Sequence, residues 1–330
     1  TQHTKESKLY VWVIKPTGEV TFSELDIKAL QKENINLAEL VTSTRESFGV
    51  SRNSRQQFLV SRPELEKEQK ELQTKRLQQL YQLLIKPIAN TLPTNQRIIF
   101  TPQGELFLVP FPALLDEQGK YLVDKYTIQT APSIQVLDLT YQQKRRQTNQ
   151  ANNNQALIVG NPTMPTVEIE AGKPPVQLSN LPSSEQEAEK IATLLKTQAL
   201  TGNKATKAAI VQRMELASII HLATHGILDN IRGLGSALAF TPSGNDNGLL
   251  TADEILNLPL TATDMVVLSA CNTGRGRITG DGVIGLSRSF ISAGVPSVVV
   301  SLWAVPDDAT AFLMTEFYQN LDKKLDKATA

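Results

Sequence analysis

From Arg97 onward, short apolar runs alternate with amphipathic segments, and this alternation constrains the fold of the chain more than any other feature. RIIFTP (97–102), ELFLVPF (105–111), YTIQTAPS (126–133) and QALIVGNP (155–162) are each too short for a helix and are bounded by Pro, Gly or Ser. They read as strands of a sheet partly buried on both faces. Helical patterns follow at SSEQEAEKIATLLK (183–196), with Ser183 or Ser184 as N-cap, and at TKAAIVQRMEL (206–216). Next come SIIHLATHG (218–226), a helix signal at TADEILNL, the run DMVVLSACNTG (264–274), a helix at GVIGLSRSFISAG, the strand SVVVSLW and a final helix from Pro306 to near Leu321. Strands interleaved with helices predict an α/β sandwich around a mainly parallel sheet.

The N-terminal part has a different texture. LYVWVIKPTGEVTFSEL (9–25) alternates and turns at Pro16-Thr17-Gly18, which predicts a strand hairpin. Residues 26–48 are mixed, with a short helix expected around Ile27–Gln31. From Pro63 to about Ile88, Leu72, Leu77, Leu80, Leu83 and Leu84 recur at near-helical spacing, and Pro87 is a natural stop. The charged first half of that helix need not be buried. QQKRRQTNQANNNQ (142–155) is expected to be a surface loop or linker.

Composition removes several classes of function. Lys plus Arg (33) equals Asp plus Glu (33), so no net field points to nucleic acid or an anionic membrane. One cysteine cannot form an internal disulfide, which favours a reducing cytoplasm. No apolar run reaches the length of a membrane span, and TQHTKESKLY lacks the layout of a signal peptide. The first residue is not Met, so a fragment or processed chain is expected.

In open α/β sheets, functional groups collect beyond the carboxyl ends of the strands. SIIHLATHG delivers His225 and Gly226 to such an end, and DMVVLSACNTG delivers Cys271, 46 residues later, with Gly274 behind it. A lone cysteine packs equally well as a small hydrophobe. Beside an imidazole it has a base that accepts the thiol proton on attack and returns it to a leaving amine. The amides of Gly226 and Cys271 are the natural donors to a tetrahedral oxyanion.

The HLATHG and SACNTG blocks, followed by GDGVIGLSRSFISAGVPSVVVSLWAVPDDATAFLMTEFY, resemble the CHAT domain, a caspase-like, separase-related family of cysteine peptidases. The likeness extends upstream through TPQGELFLVPFPALLD, KYLVDKYTIQTAPS and VGNP, and LYVWVIKPTGEV is similar to the segment that commonly precedes such domains. It implies a caspase-like three-layer sandwich with N-terminal strands and a long helix. The expected organisation is an N-terminal extension over 1–74 and the domain over 75–330. Within the domain, a first half (75–150) and a catalytic half (156–330) are joined through the polar stretch 142–155. It implies a catalytic dyad of Cys271 and His225. The caspase signature Q-A-C-[RQG]-G is not matched, because Ser269 replaces the Gln and glycine follows the Cys by three residues instead of two. That departure argues against specificity for Asp at P1.

Trp303-Ala304-Val305-Pro306-Asp307 parallels a separase pattern in which an acidic residue faces a basic P1 side chain. The resemblance places Asp307, or its neighbour Asp308, at the floor of that pocket. Asp307 follows a proline at a helix start, so a plain N-cap accounts for it equally well. Trp303 lies between groove and core, whereas Phe290 reads as core. With a basic P1, Arg275 and Arg277 become candidate self-cleavage sites.

Other motifs carry less. Gly280–Gly285 fits G-x-G-x-x-G, but a polar loop separates it from the preceding strand, unlike a dinucleotide site. His221 and His225 are four apart, which on a strand places them about 13 Å apart, so no metal is expected. His221 reads as a satisfied core or near-site histidine. Ser287 and Ser289 do not form a nucleophile elbow. The expectation is thus a cysteine endopeptidase of protein substrates that needs no metal or organic cofactor. The resemblance adds an upstream helical-repeat region as a regulatory partner. The competing expectation is a latent or non-catalytic caspase-like interaction module.

Overall fold

The structure, a computed structural model, describes residues 8–27, 36–48, 63–93, 96–148, 155–168, 174–227, 235–269, 280–301 and 307–330. The chain divides into two compact units, Thr1–Ala131 and Pro132–Ala330.

In the first unit, β1 (Lys8–Ile14) and β2 (Val20–Asp26) form the expected antiparallel hairpin, with Trp12 opposite Phe22. Its turn contains Gly18 at φ 86°, a conformation that favours glycine. The next helix, α1 (Leu37–Ser47), falls within the mixed segment and starts on a capping box. Asn36 accepts from the Glu39 amide, and the Glu39 carboxylate accepts from the Asn36 amide. α2 (Pro63–Leu84) is the long leucine-patterned helix, and it gives way at Pro87 to a 3-10 turn over Lys86–Thr91. Leu40, Val41, Leu77, Leu80 and Leu84 bury their side chains with Val109, Leu114 and Leu122. β3 (Arg97–Phe100) and β4 (Thr127–Thr130) pair in parallel as a separate two-stranded ladder. Between them ELFLVPF is not a strand. It coils into 3-10 turns at Gly104–Leu108 and Phe111–Ala113, because Pro110 and Pro112 lack amide donors for a ladder. The nearly buried Asp116 carboxylate closes a loop here, accepting from the Gln118 and Lys120 amides, each at 2.8 Å, and from the Lys125 ammonium.

The second unit opens with α3 (Ile134–Thr148). The Gln/Asn-rich stretch expected to be a loop is therefore helical through Thr148. Gln147 explains part of this, since its side-chain amide donates to the carbonyls of Thr261 and Thr263. The elements that follow are β5 (Ala156–Pro162), the short antiparallel pair β6 (Thr166–Val167) and β7 (Val176–Gln177), α4 (Pro182–Leu194) and β8 (Ala199–Gly202). α4 begins one residue before the serines expected to cap it, with Leu181 as N-cap and Pro182 in the first turn. α5 (Lys207–Met214) leads to β9 (Ile219–Ala223), and β10 (Gly226–Ile227), β11 (Ala237–Ala239) and β12 (Leu249–Thr251) form a small antiparallel sheet. The chain then runs through α6 (Ala252–Leu256), β13 (Met265–Leu268), α7 (Gly280–Ser292), β14 (Val298–Val300) and α8 (Asp307–Asp322).

The central sheet has the order β14-β13-β9-β5-β8, and every pairing in it is parallel. Successive side chains of a strand point to opposite faces. Leu157, Val159, Ile220, Leu222, Val266 and Leu268 accordingly pack with residues of α5, α6 and α7. Ile158, Met265 and Val267 pack with residues of α4 and α8. This is the three-layer α/β sandwich of a caspase-like fold. Among the described residues no helix is long and apolar enough to cross a membrane.

Two predictions follow from the packing. A Cβ added at Gly160 would meet the Ser184 carbonyl oxygen and, at 2.5 Å, the Ala188 Cβ. Gly160→Ala is expected to destabilise the second unit by about 3 kcal/mol in urea unfolding, through overpacking of β5 against α4. In the first unit, burial pushes the Asp116 carboxyl up, but the Lys125 ammonium and the two amides outweigh it and hold the group below its usual range. A depressed carboxyl contributes stability above its unfolded value of about 4, and that contribution is lost as pH falls through the folded value. Unfolding followed between pH 6 and 2 is expected to show a steeper loss of stability for the parent than for Asp116→Asn.

Candidate functional site

The five-stranded order places a switch point between β5 and β9, since the chain passes from β5 outward to β8 and then back across to β9. Crevices at such points, beyond the strand carboxyl ends, are where α/β sheets bind ligands. β9 delivers His225 there, and β5 delivers Asn161.

Beyond Ala223 the chain is pinned on both sides of the histidine. The Thr224 hydroxyl donates to the Ala239 carbonyl, and the Ala239 amide donates to the His225 carbonyl at 2.9 Å. Gly226 pairs with Leu238 and Ile227 with Ala237. Because the His225 carbonyl makes the ladder bond to β11, Gly226 occupies a non-hydrogen-bonded position, and its N–H points away from β11. Among the described residues β10 is an edge of the β10-β11-β12 sheet, so the amide of the buried Gly226 is directed outward from that sheet.

The His225 side chain is 4% exposed, and its Nε2 lies 2.8 Å from the Ser179 carbonyl oxygen. A carbonyl only accepts, so Nε2 carries a proton, and a neutral ring keeps its lone pair on Nδ1. Ser179 lies between β7 and α4, in a segment that is itself held. The Leu181 amide donates to Asn161 Oδ1 at 2.7 Å, and Asn161 Nδ2 donates to Glu185 Oε2 at 2.9 Å. Asn161 makes both contacts from a left-handed backbone, φ 44°, which asparagine tolerates better than most residues. Met164, Leu181 and Ala239 form the apolar cluster of this region.

β13 lies beside β9 with Leu268 paired to Leu222. Cys271 follows Leu268 by three residues, just as His225 follows Leu222 by three. Cys271, Arg275, Arg277 and Trp303 lie outside the described residues. Asp307 is the first residue of α8, and Asp308 beside it is exposed. Acidic groups in a first turn are favoured by the helix dipole whatever else they do. Gly280, the first glycine of the G-x-G-x-x-G match, opens α7.

His221 is not grouped with His225. It points to the opposite face of the sheet from Ile220 and Leu222, and it is fully buried. Its Nε2 is 2.9 Å from Glu187 Oε1 on α4, and its Nδ1 is 3.3 Å from the Tyr318 hydroxyl on α8. Burial, reinforced by the Glu187 charge, pushes the Tyr318 hydroxyl well above the usual range, so it remains a donor. His221 is thus a core histidine bonded to Tyr318, whereas its 2.9 Å approach to Glu187 lacks hydrogen-bond geometry and leaves Nε2 and the carboxylate without a hydrogen-bond partner among the described residues. Sequence reasoning did not single out Ser179, Asn161 or Tyr318, and it read Glu187 as a first-turn acid of the helix, whereas Glu185 holds that place and Glu187 is buried. Ser179 acts through its backbone and leaves no side-chain signal. Asn161 had one, a Gly-Asn-Pro triplet closing an apolar run.

The sequence model of the family described as the CHAT domain matches residues 74–330. Tetratricopeptide repeat protein 28 of Homo sapiens is 29% identical over 294 residues, covering 74% of this chain and 11% of that protein. The protein of the same name from Mus musculus is also 29% identical over 294 residues, covering 74% of this chain and 12% of its own length. The chain therefore spans about a tenth of the length of these curated relatives.

The Asn161 bridge yields a direct test. Asn161→Ala removes the acceptor of the Leu181 amide, and native-state hydrogen exchange of that amide is expected to accelerate about tenfold or more. The β9 amides are expected to keep their protection.

Proposed function

Because the chain belongs to the CHAT-domain family, whose fold is caspase-like, we propose that it is a cysteine endopeptidase acting through Cys271 and His225. The observation that carries this reading is the state of His225. Its Nε2–H is committed to the Ser179 carbonyl at the switch point of the sheet, which assigns Nδ1 the part of the base. The common offset of three residues from the Leu222–Leu268 pair supports Cys271 as its partner.

In this mechanism the Cys271 sulfur attacks the scissile carbonyl carbon while its proton passes to His225 Nδ1. The oxyanion takes hydrogen bonds from the amides of Gly226 and Cys271, and the outward direction of the Gly226 N–H favours that role. Collapse breaks the C–N bond, and the departing amine leaves with the proton from Nδ1. Water then attacks the thioester, giving its proton to His225, and the carboxylic acid and free thiol are released. The chain's own residues supply each proton transfer, and the substrate is a protein in the reducing cytoplasm. A basic P1 side chain would meet Asp307 or Asp308 beside Trp303. Arg275 and Arg277, close after the nucleophile in sequence, are then candidate self-cleavage sites. The catalytic domain of this proposal is 75–330, with 1–74 as an extension to it.

A second reading, a caspase-like interaction module, has one observation behind it. The β1–β2 hairpin exposes Tyr10, Trp12, Ile14, Val20 and Phe22, with the three aromatic rings packed side by side. The relatives are named for tetratricopeptide repeats, which supports an upstream helical-repeat region as the partner that controls the site.

Peptide acyloxymethyl ketones with Arg, Asp or Leu at P1 separate these readings. The wild-type protein is expected to be labelled at Cys271 by the Arg probe, with labelling at least about 100-fold slower in His225→Ala. Asp307→Asn is expected to lower the Arg preference and leave the Leu probe unaffected, with Asp308→Asn as the control for the neighbouring carboxylate. Labelling by Leu or Asp probes alone keeps the peptidase and removes the acidic pocket. Identical intact masses for active and Cys271→Ala protein remove self-cleavage.

A further inference from the structure

We propose that the outer face of the β1–β2 hairpin is a self-association surface, on which two copies of the chain stack hairpin against hairpin about a two-fold axis running along the strands. The inference is independent of the peptidase reading, and its test reads the mass of the assembly.

The hairpin is apolar on both faces. Opposite residues of an antiparallel pair share a face. The pair Leu9–Leu25 turns inward, with Leu9 packed on the apolar core of the first unit and Leu25 buried. The pairs Trp12–Phe22 and Ile14–Val20, with Tyr10 beside them, turn the other way and are 48–60% exposed. A sheet with one face on a core normally carries polar residues on the other. Here the outer face leaves about 500 Å² of contiguous apolar surface, in the range that marks an interaction site on a soluble protein. Two such faces closing on each other bury roughly 1,000 Å², the lower bound of a specific interface. The rings are ordered before any partner arrives. Phe22 lies 5.3 Å from Trp12 and 5.9 Å from Tyr10, centroid to centroid, so association has little side-chain freedom left to freeze.

Charge selects the occupant. The Lys8–Glu24 pair, at 2.7 Å, borders the patch at one end, and the Lys15–Glu19 pair, at 3.0 Å, borders it at the turn. Each pair is balanced, so an anionic membrane or a strongly charged protein gains nothing from this rim. A second copy suits it, because each copy carries 33 basic and 33 acidic residues and two copies do not repel each other.

The same charges select the axis. With the two-fold along the strands, β1 of each copy lies over β2 of the other. Trp12 then faces Phe22 and Ile14 faces Val20 across the interface, while the Lys8–Glu24 pairs of both copies gather at one end. Each ammonium there has two carboxylates in reach. With the axis across the strands, the Lys8–Glu24 end would lie over Ile14 and Val20, setting charge against hydrocarbon.

Sedimentation equilibrium of the 330-residue chain in low salt tests this. A monomer–dimer equilibrium with a Kd of about 10 µM is expected, and a chain that stays monomeric to about 200 µM overturns the inference. Trp12→Ser/Phe22→Ser alters only exposed side chains and is expected to weaken the dimer at least about 30-fold; a dimer of parental affinity in this variant overturns the inference. Lys8→Glu and Glu24→Lys each gather four like charges at one end of the interface. Each alone is expected to weaken association about tenfold, and their equimolar mixture is expected to form a heterodimer of parental affinity. A mixture that associates no more tightly than its components overturns the inference.

Discussion

β9 is the strand on which the site depends, because it is buried on both faces and its residues answer to two layers at once. Ile220 and Leu222 are locked among the side chains of α5, α6 and α7, while His221 faces α4 and α8 on the other side. A one-residue slip would exchange these sets, placing an imidazole in hydrocarbon and leucine against a buried carboxylate. The strand therefore has one acceptable register. Its end, and with it the position of His225 and the direction of the Gly226 amide, is determined before any contact at the site is made.

The site adds little to that scaffold. One carbonyl, that of Ser179, selects the His225 tautomer, and one ladder bond to Ala239 turns the next amide outward. Both are backbone groups. Side chains enter one step further back, where Asn161 ties the end of β5 to the start of α4. The orientation of the His225 ring and of the Gly226 amide is thus set by main-chain geometry.

That division explains what could be read from the sequence. The strands β5, β9 and β13 announced themselves because parallel strands buried on both faces are continuous apolar runs, and the half-buried β14 did so through its run of valines. His225 stood out as a polar residue just past such a run, and the structure places it beyond the end of β9. Ser179 could not, since any residue supplies a carbonyl. ELFLVPF looked like a strand from its apolar content, and only its prolines, which remove ladder donors, tell it from one. α1 was hidden in a segment of weak periodicity, although Asn36 and Glu39 spell out its capping box. α3 extends into Gln-rich sequence because Gln147 bonds to distant carbonyls, information that no local window contains.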